Sequence, residues 1–197
     1  ATLELQLARQ AGEGLPLVHA LSHLAYGDPN SPAVGMAYLQ EATTLAEQLG
    51  YIDEALECAK SAVAWDPSHP GAQLHLATIL YKLRNREGDD HAEEIVSGLR
   101  KVPIQSQPQH EELRAFLLAE ALDASYGTGT GIDELARAHL RFGNRPLLAL
   151  GLAERLVLAG DNSRALPLFE HAIGGDLRGL RSRAAVCLEA ARVARTQ

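Results

Sequence analysis

Apolar residues recur every three or four positions almost without interruption along the chain. That is the period of an amphipathic helix, not the alternation of a half-buried strand. Turn signals break the rhythm at Gly12-Glu13-Gly14, at 27–32, at Leu49-Gly50, at 66–70 and at 84–90. Others follow at 103–108, 127–131, Gly143-Asn144, Gly160-Asp161 and Gly174-Gly175. Between them the pattern predicts eleven helices, mostly 10–18 residues long, and no strand. Asp and Ser near several helix starts suit caps, and Pro146 suits a first turn.

The distances between turns say more. Taking the turn inside each helix pair as a marker gives Gly14, Gly50, Arg84, Gly127 and Gly160, spaced 36, 34, 43 and 33 residues apart. A period near 34 is the length of a helix-turn-helix unit that needs a neighbour to cover its apolar face. The long interval fits the same unit with about nine extra residues, placed at 85–90 and 102–108. The expected organisation is one domain, 1–197, with hairpins at 1–27, 32–67, 70–102, 108–142 and 145–174. A capping helix is expected at 177–195.

The stretch LGYIDEALECAKSAVAWDP, residues 49–67, keeps Ala55, Ala59 and Ala62 on one helical face and then stops at Pro67. Small side chains let helix axes approach to the lower end of the ~8–10 Å packing range. Proline cannot continue the helix, so it fixes where the next unit begins. Gly50, Ala55, Ala59, Ala62 and Pro67 resemble the tetratricopeptide (TPR) repeat pattern, with Gly at the mid-repeat turn and Pro at the end. Gly160, Ala165, Phe169 and Ala172 of AGDNSRALPLFEHAIGGDL resemble it again, with Leu177 in place of the proline. HPGAQLHLATILYKL resembles a first TPR helix following Pro67. The Trp and Leu-Gly of that family's first helix have no counterpart here.

The resemblance implies an all-α right-handed superhelix of about five helix pairs with a terminal cap. In TPR proteins the first helices of successive repeats line a concave groove that receives a partner's peptide or helix. Carried onto this chain, that wall is Gln40, Thr44 and Glu47, then His75, Thr78, Tyr81 and Lys82, then Arg114 and Leu117. One subtype grips a C-terminal carboxylate with a Lys/Asn, Asn, Lys/Arg clamp. Here those positions hold Gln40 and Thr44, then His75, then Arg114 and Leu118, and only Arg114 fits.

Composition narrows the function. Aromatics are only 5% of residues against 46% hydrophobic, which favours helices over sandwiches or barrels. A net charge of −7 argues against non-specific nucleic-acid binding. The charge is uneven, because residues 177–197 hold five Arg against one Glu. Arg178, Arg181, Arg192 and Arg195 fall within roughly 100° on a helical wheel, a docking stripe for an acidic partner or a neighbouring copy. Leu180, Ala184, Cys187, Ala191 and Ala194 gather on another side, expected to cover the last repeat. No run is long and apolar enough to insert in a membrane, and Cys58 and Cys187 suit neither a disulfide framework nor a zinc site. Cytoplasm is the expected compartment, and three Lys in an Ala/Leu/Arg-rich chain suggest a bacterial source.

Signs of reaction chemistry are sparse. His19 and His23 lie four apart, a spacing suited to two metal ligands, without a third ligand or a following Glu. YGTGTGIDEL is Gly-rich before a helix, yet no strand precedes it and no Gly-Lys-Ser/Thr follows, so a turn is the better reading than a phosphate cradle. No catalytic residue, cofactor or metal is expected. The predicted role is a non-catalytic scaffold or adaptor for another protein. A metal or enzyme role for His19 and His23, a helical nucleic-acid reader and a self-assembling subunit are the alternatives.

Overall fold

The computed structural model describes residues 14–26, 32–87, 91–104 and 106–196. Among them are ten helices and no strand. They are α1 (Gly14–Ala25), α2 (Pro32–Leu49), α3 (Ile52–Trp65), α4 (Pro70–Glu87) and α5 (Ala92–Arg100), followed by α6 (Pro108–Tyr126), α7 (Ile132–Phe142), α8 (Pro146–Leu158), α9 (Asn162–Ile173) and α10 (Arg183–Arg195). The helix expected before Gly14 lies outside the described residues. The chain divides into two compact units, residues 1–80 and 81–197, and α4 contributes to both.

In the first unit α2 packs against α1 and α3. Ala55, Ala59 and Ala62 are buried to 1% exposure or less, as their shared face required. Ala62 joins Ala25, Met36, Leu39 and Ala72 in a core flanked by Tyr38, Val63 and Trp65. Gly35 lets α1 and α2 meet closely, because a Cβ there would fall 2.6 Å from the Ala25 carbonyl oxygen. The α2–α3 turn needs Gly50, whose φ of 81° lies in the region that β-carbon-bearing residues avoid. After Trp65 the chain turns through Asp66-Pro67-Ser68, where Asp66 Oδ1 accepts from Ser68 N at 2.9 Å and Ser68 Oγ at 2.7 Å. These bonds hold the Asp66 carboxyl below its ordinary range.

In the second unit α6 packs against α5, α7 and α8. It is buried on several sides, unlike a surface helix with one apolar stripe. Ala115 and Ala119 meet Leu135, Ala138 and Leu148. The Gly-rich segment forms a turn closed by its own helix: Gly131 N donates to Asp123 Oδ1 at 2.7 Å, and Thr130 Oγ1 to the Gly127 carbonyl at 2.9 Å. Asp123 therefore occupies the donor that a phosphate cradle would offer. Ala165, Phe169 and Ala172 of α9 are as deeply buried as the α3 alanines.

Two expectations fail. The turn at Arg84 is helix instead, because α4 runs on to Glu87. No Gly or Pro interrupts it there, and buried Leu83 continues the apolar face of Ile79 and Leu80. The terminal helix begins at Arg183, not near residue 177. Arg178 at φ 52° and Gly179 at φ 66° break the run, and Leu177 and Leu180 are buried from the turn. Val186, Ala190 and Val193 form the inward face, while Ala184, Cys187, Ala191 and Ala194 are exposed. Two valines remove more apolar surface from water than alanines do.

Candidate functional site

Along α2 the first unit carries two adjoining hollows. One, of about 350 Å³, is lined by Ala33, Met36, Ala37, Gln40, Trp65, Asp66 and His69. The other, of about 480 Å³, takes in Gln40, Glu41, Thr44, Gln48 and His75. Gln40 lines both, so the two hollows lie side by side over successive turns of a single helix. Helix periodicity explains the lining: positions 33, 37, 40, 44 and 48 repeat at three and four residues.

The polar groups of the groove are held in place. Gln40 Nε2 lies 3.3 Å from His69 Nδ1, which also accepts from Ala72 N at 3.2 Å. With Nδ1 accepting, the ring proton sits on Nε2. Gly71 leaves room for the amide, because a Cβ there would stand 2.9 Å from Gln40 Nε2. Thr44 is exposed, and its hydroxyl donates back to the Gln40 carbonyl at 2.9 Å. Gln73 Nε2 donates to the Pro67 carbonyl at 2.8 Å and fixes the loop at one end of the wall.

The groove residues expected from sequence divide sharply. Gln40, Thr44 and His75 come together here, while Glu47, Thr78 and Lys82 are half-buried outside these hollows. Thr78 Oγ1 donates to the Leu74 carbonyl. Tyr81, Arg114 and Leu117 are buried in the second unit. Arg114 is 4% exposed, donating through Nε and Nη2 to Glu111 at 2.9 and 2.7 Å and through Nη2 to Glu134 at 3.2 Å. Burial pulls its pKa down, and the two carboxylates more than offset that. Trp65, Asp66 and His69 escaped the sequence reading, which treated 66–70 only as a turn. The single tryptophan, ending a helix beside two prolines, was the available signal.

The arginine stripe is not one helical face. Arg178 and Arg181 precede α10, whereas Arg192 and Arg195 lie exposed upon it. Arg181 turns inward. Its Nη2 meets Glu120 Oε2 at 2.6 Å, its Nη1 donates to the Tyr81 hydroxyl, and its Nε is 3.5 Å from Glu154 Oε1. Its guanidinium also lies 5.4 Å from the Tyr81 ring centroid and 5.8 Å from that of Phe116. Arg155 approaches Glu120 at 3.3 Å and Asp123 at 2.9 Å from the other side. This cluster ties α6, α8 and the segment before α10 together.

His19 and His23 are exposed on α1. Among the described residues no three His, Cys, Asp or Glu side chains converge as a metal site would require. His19 borders a hollow of about 360 Å³ with Ser22, Asp53, Glu54, Glu57 and Cys58. Cys58 Sγ is 3.2 Å from Ser22 Oγ. Burial pushes that thiol up, Ser22 counters in part, and Glu54 and Glu57 push it further, the opposite of an activated nucleophile. Among the described residues no helix is long and apolar enough to cross a membrane.

No family model and no curated protein matches this sequence. Solved structures do match in fold. A thermophilic TPR protein of Thermus thermophilus, TTC0263, superposes with a TM-score of 0.60 at 18% identity, over 98% of this chain and 96% of that one. Two crystal structures of MamA superpose with TM-scores of 0.60 and 0.59, both at 14% identity. They cover 87% and 84% of this chain and 89% and 90% of theirs. The chain thus has the all-α fold of a TPR-like helical repeat protein.

Proposed function

We propose that this chain is a non-catalytic scaffold or adaptor that holds a segment of a partner protein along α2. The observation that carries the reading is the pair of hollows that share Gln40 along one helix, a layout that suits an extended segment. Apolar Met36 and Trp65 supply contact area at one end, and Gln40, Thr44 and His75 supply polar contacts along the other. Such a wall suits recognition of main chain and side chains together. The net charge of −7 favours a protein ligand over nucleic acid or an anionic membrane surface. A bacterial, cytoplasmic setting accompanies this reading on composition and cysteine use.

Selection from a displayed peptide library against the full chain tests it. The expected result is a set of enriched peptides that compete for one site and weaken at least about tenfold with Thr44→Arg or Ala37→Arg, both exposed positions. Enriched peptides indifferent to both changes, or no enrichment at all, overturn the assignment.

A further inference from the structure

The second unit holds a separate cavity of about 440 Å³ among α8, α9 and α10. Leu150, Phe169 and Val186 line it, and Leu158, 68% exposed, stands at its edge. Its charged groups are Glu154, Glu189 and Arg181. The arginine is largely engaged elsewhere, with Nη2 on Glu120 and Nη1 on Tyr81, and reaches Glu154 only through Nε at 3.5 Å. Glu189 is met by Arg192 at 2.9 Å, on the exposed side of α10. Two carboxylates therefore border an apolar-lined cavity, Glu154 with only the long Arg181 contact and Glu189 met by Arg192 from the exposed side.

The geometry points to a binding site for an arginine or lysine side chain presented by a partner protein, its aliphatic stem on Leu150 and Val186 and its charge between Glu154 and Glu189. Apolar walls suit the methylenes and the paired acids suit the head, the division of labour long cationic side chains favour. The ionisation of Glu154 agrees. Burial, then the charge of Glu120, with Glu189 adding and Arg155 opposing, pushes it up to about 8. An incoming cation supplies what the carboxylate lacks and draws that value down. The groups facing Glu154 are Glu120 from α6, Arg155 from its own helix, Arg181 and Glu189; from α9 the cavity lining includes Phe169, which does not titrate. This site is independent of the α2 groove.

The test is a methyl-resolved NMR titration of the full chain with the capped tripeptide Leu-Arg-Leu and its neutral isostere Leu-citrulline-Leu. Saturable shifts are expected at Leu150, Val157 and Val186, with the arginine peptide at least about tenfold tighter. Glu154→Gln should erase that preference, and Leu158→Arg, which places a competing guanidinium at the cavity edge, should abolish binding. Because the cation pairs with ionised Glu154, affinity should rise by about tenfold or more from pH 6.5 to 8.5, and stay flat in Glu154→Gln. Equal affinity for the two peptides, an arginine preference that survives Glu154→Gln, shifts confined to α2 or no saturable binding each overturns the site. Failure here leaves the α2 groove standing, because Thr44→Arg reports on that surface alone.

Discussion

Helices α2 and α6 differ in what they bury. In the first unit α2 packs Met36, Leu39, Ala42, Thr43 and Ala46 inward, and the buried polar side chains described there, Thr43 and Gln73, are uncharged. In the second unit α6 buries Glu111, Glu112 and Arg114, and α8 buries Arg155. Ionised groups leave water only when other charges and donors meet them. Glu134 of α7 and Arg145 before α8 do so for α6, and Glu120 and Asp123 of α6 do so for Arg155. A polar residue on such a helix thus has two fates. Where neighbours carry complementary charge a charged residue becomes internal cement, and where they are small and neutral it stays at the surface.

The contrast can be broken most forcefully at Arg114. Arg114→Ala removes the guanidinium that meets buried Glu111 and half-buried Glu134 and should cost about 3–5 kcal/mol in denaturant unfolding. The double change Glu111→Gln with Arg114→Met, which removes both charges, should recover most of the loss; if it is no milder than the single change, the cement is not electrostatic. In the first unit the vulnerable quantity is volume. Ala62→Leu should overpack the α2–α3 joint and cost ~1–3 kcal/mol by thermal unfolding, and an unchanged midpoint would show slack where close packing is described. Gly50→Ala meets no atom within 4 Å, so it isolates backbone strain and should cost about 1 kcal/mol. The smallest effect belongs to the exposed pair Lys60–Glu57 at 3.9 Å. Lys60→Ala should change stability by less than about 0.5 kcal/mol, and a larger loss would show surface charge stabilising this unit as buried charge does the other.

Sequence carried the fold far because the features that specify it are local. Ala55, Ala59 and Ala62 share a face by spacing alone, and Gly50, Gly127 and Gly160 mark turns where each adopts positive φ. The C-terminal segment misled because its alanines outnumber its valines, and counting small residues does not weigh the area each one buries. The site was legible in part. Gln40 and Thr44 follow from helical period, but whether Arg114 faces solvent depends on Glu134, twenty positions away on another helix. Arg181 and Tyr81 meet across a hundred residues, beyond the reach of any pattern within one repeat.

Glu112 carries a consequence for how such a protein changes over generations. From α6 its Oε1 accepts the Leu147 amide at 2.9 Å, and its Oε2 lies 3.0 Å from Arg145. Repeat arrays ordinarily gain and lose units by duplication and deletion, since each needs only a generic neighbour. Here the start of one unit is completed by a carboxylate of the unit before it. A transplanted copy of 145–180 set behind a different predecessor would begin with the Leu147 amide unanswered, so this pair of modules is matched at its joint.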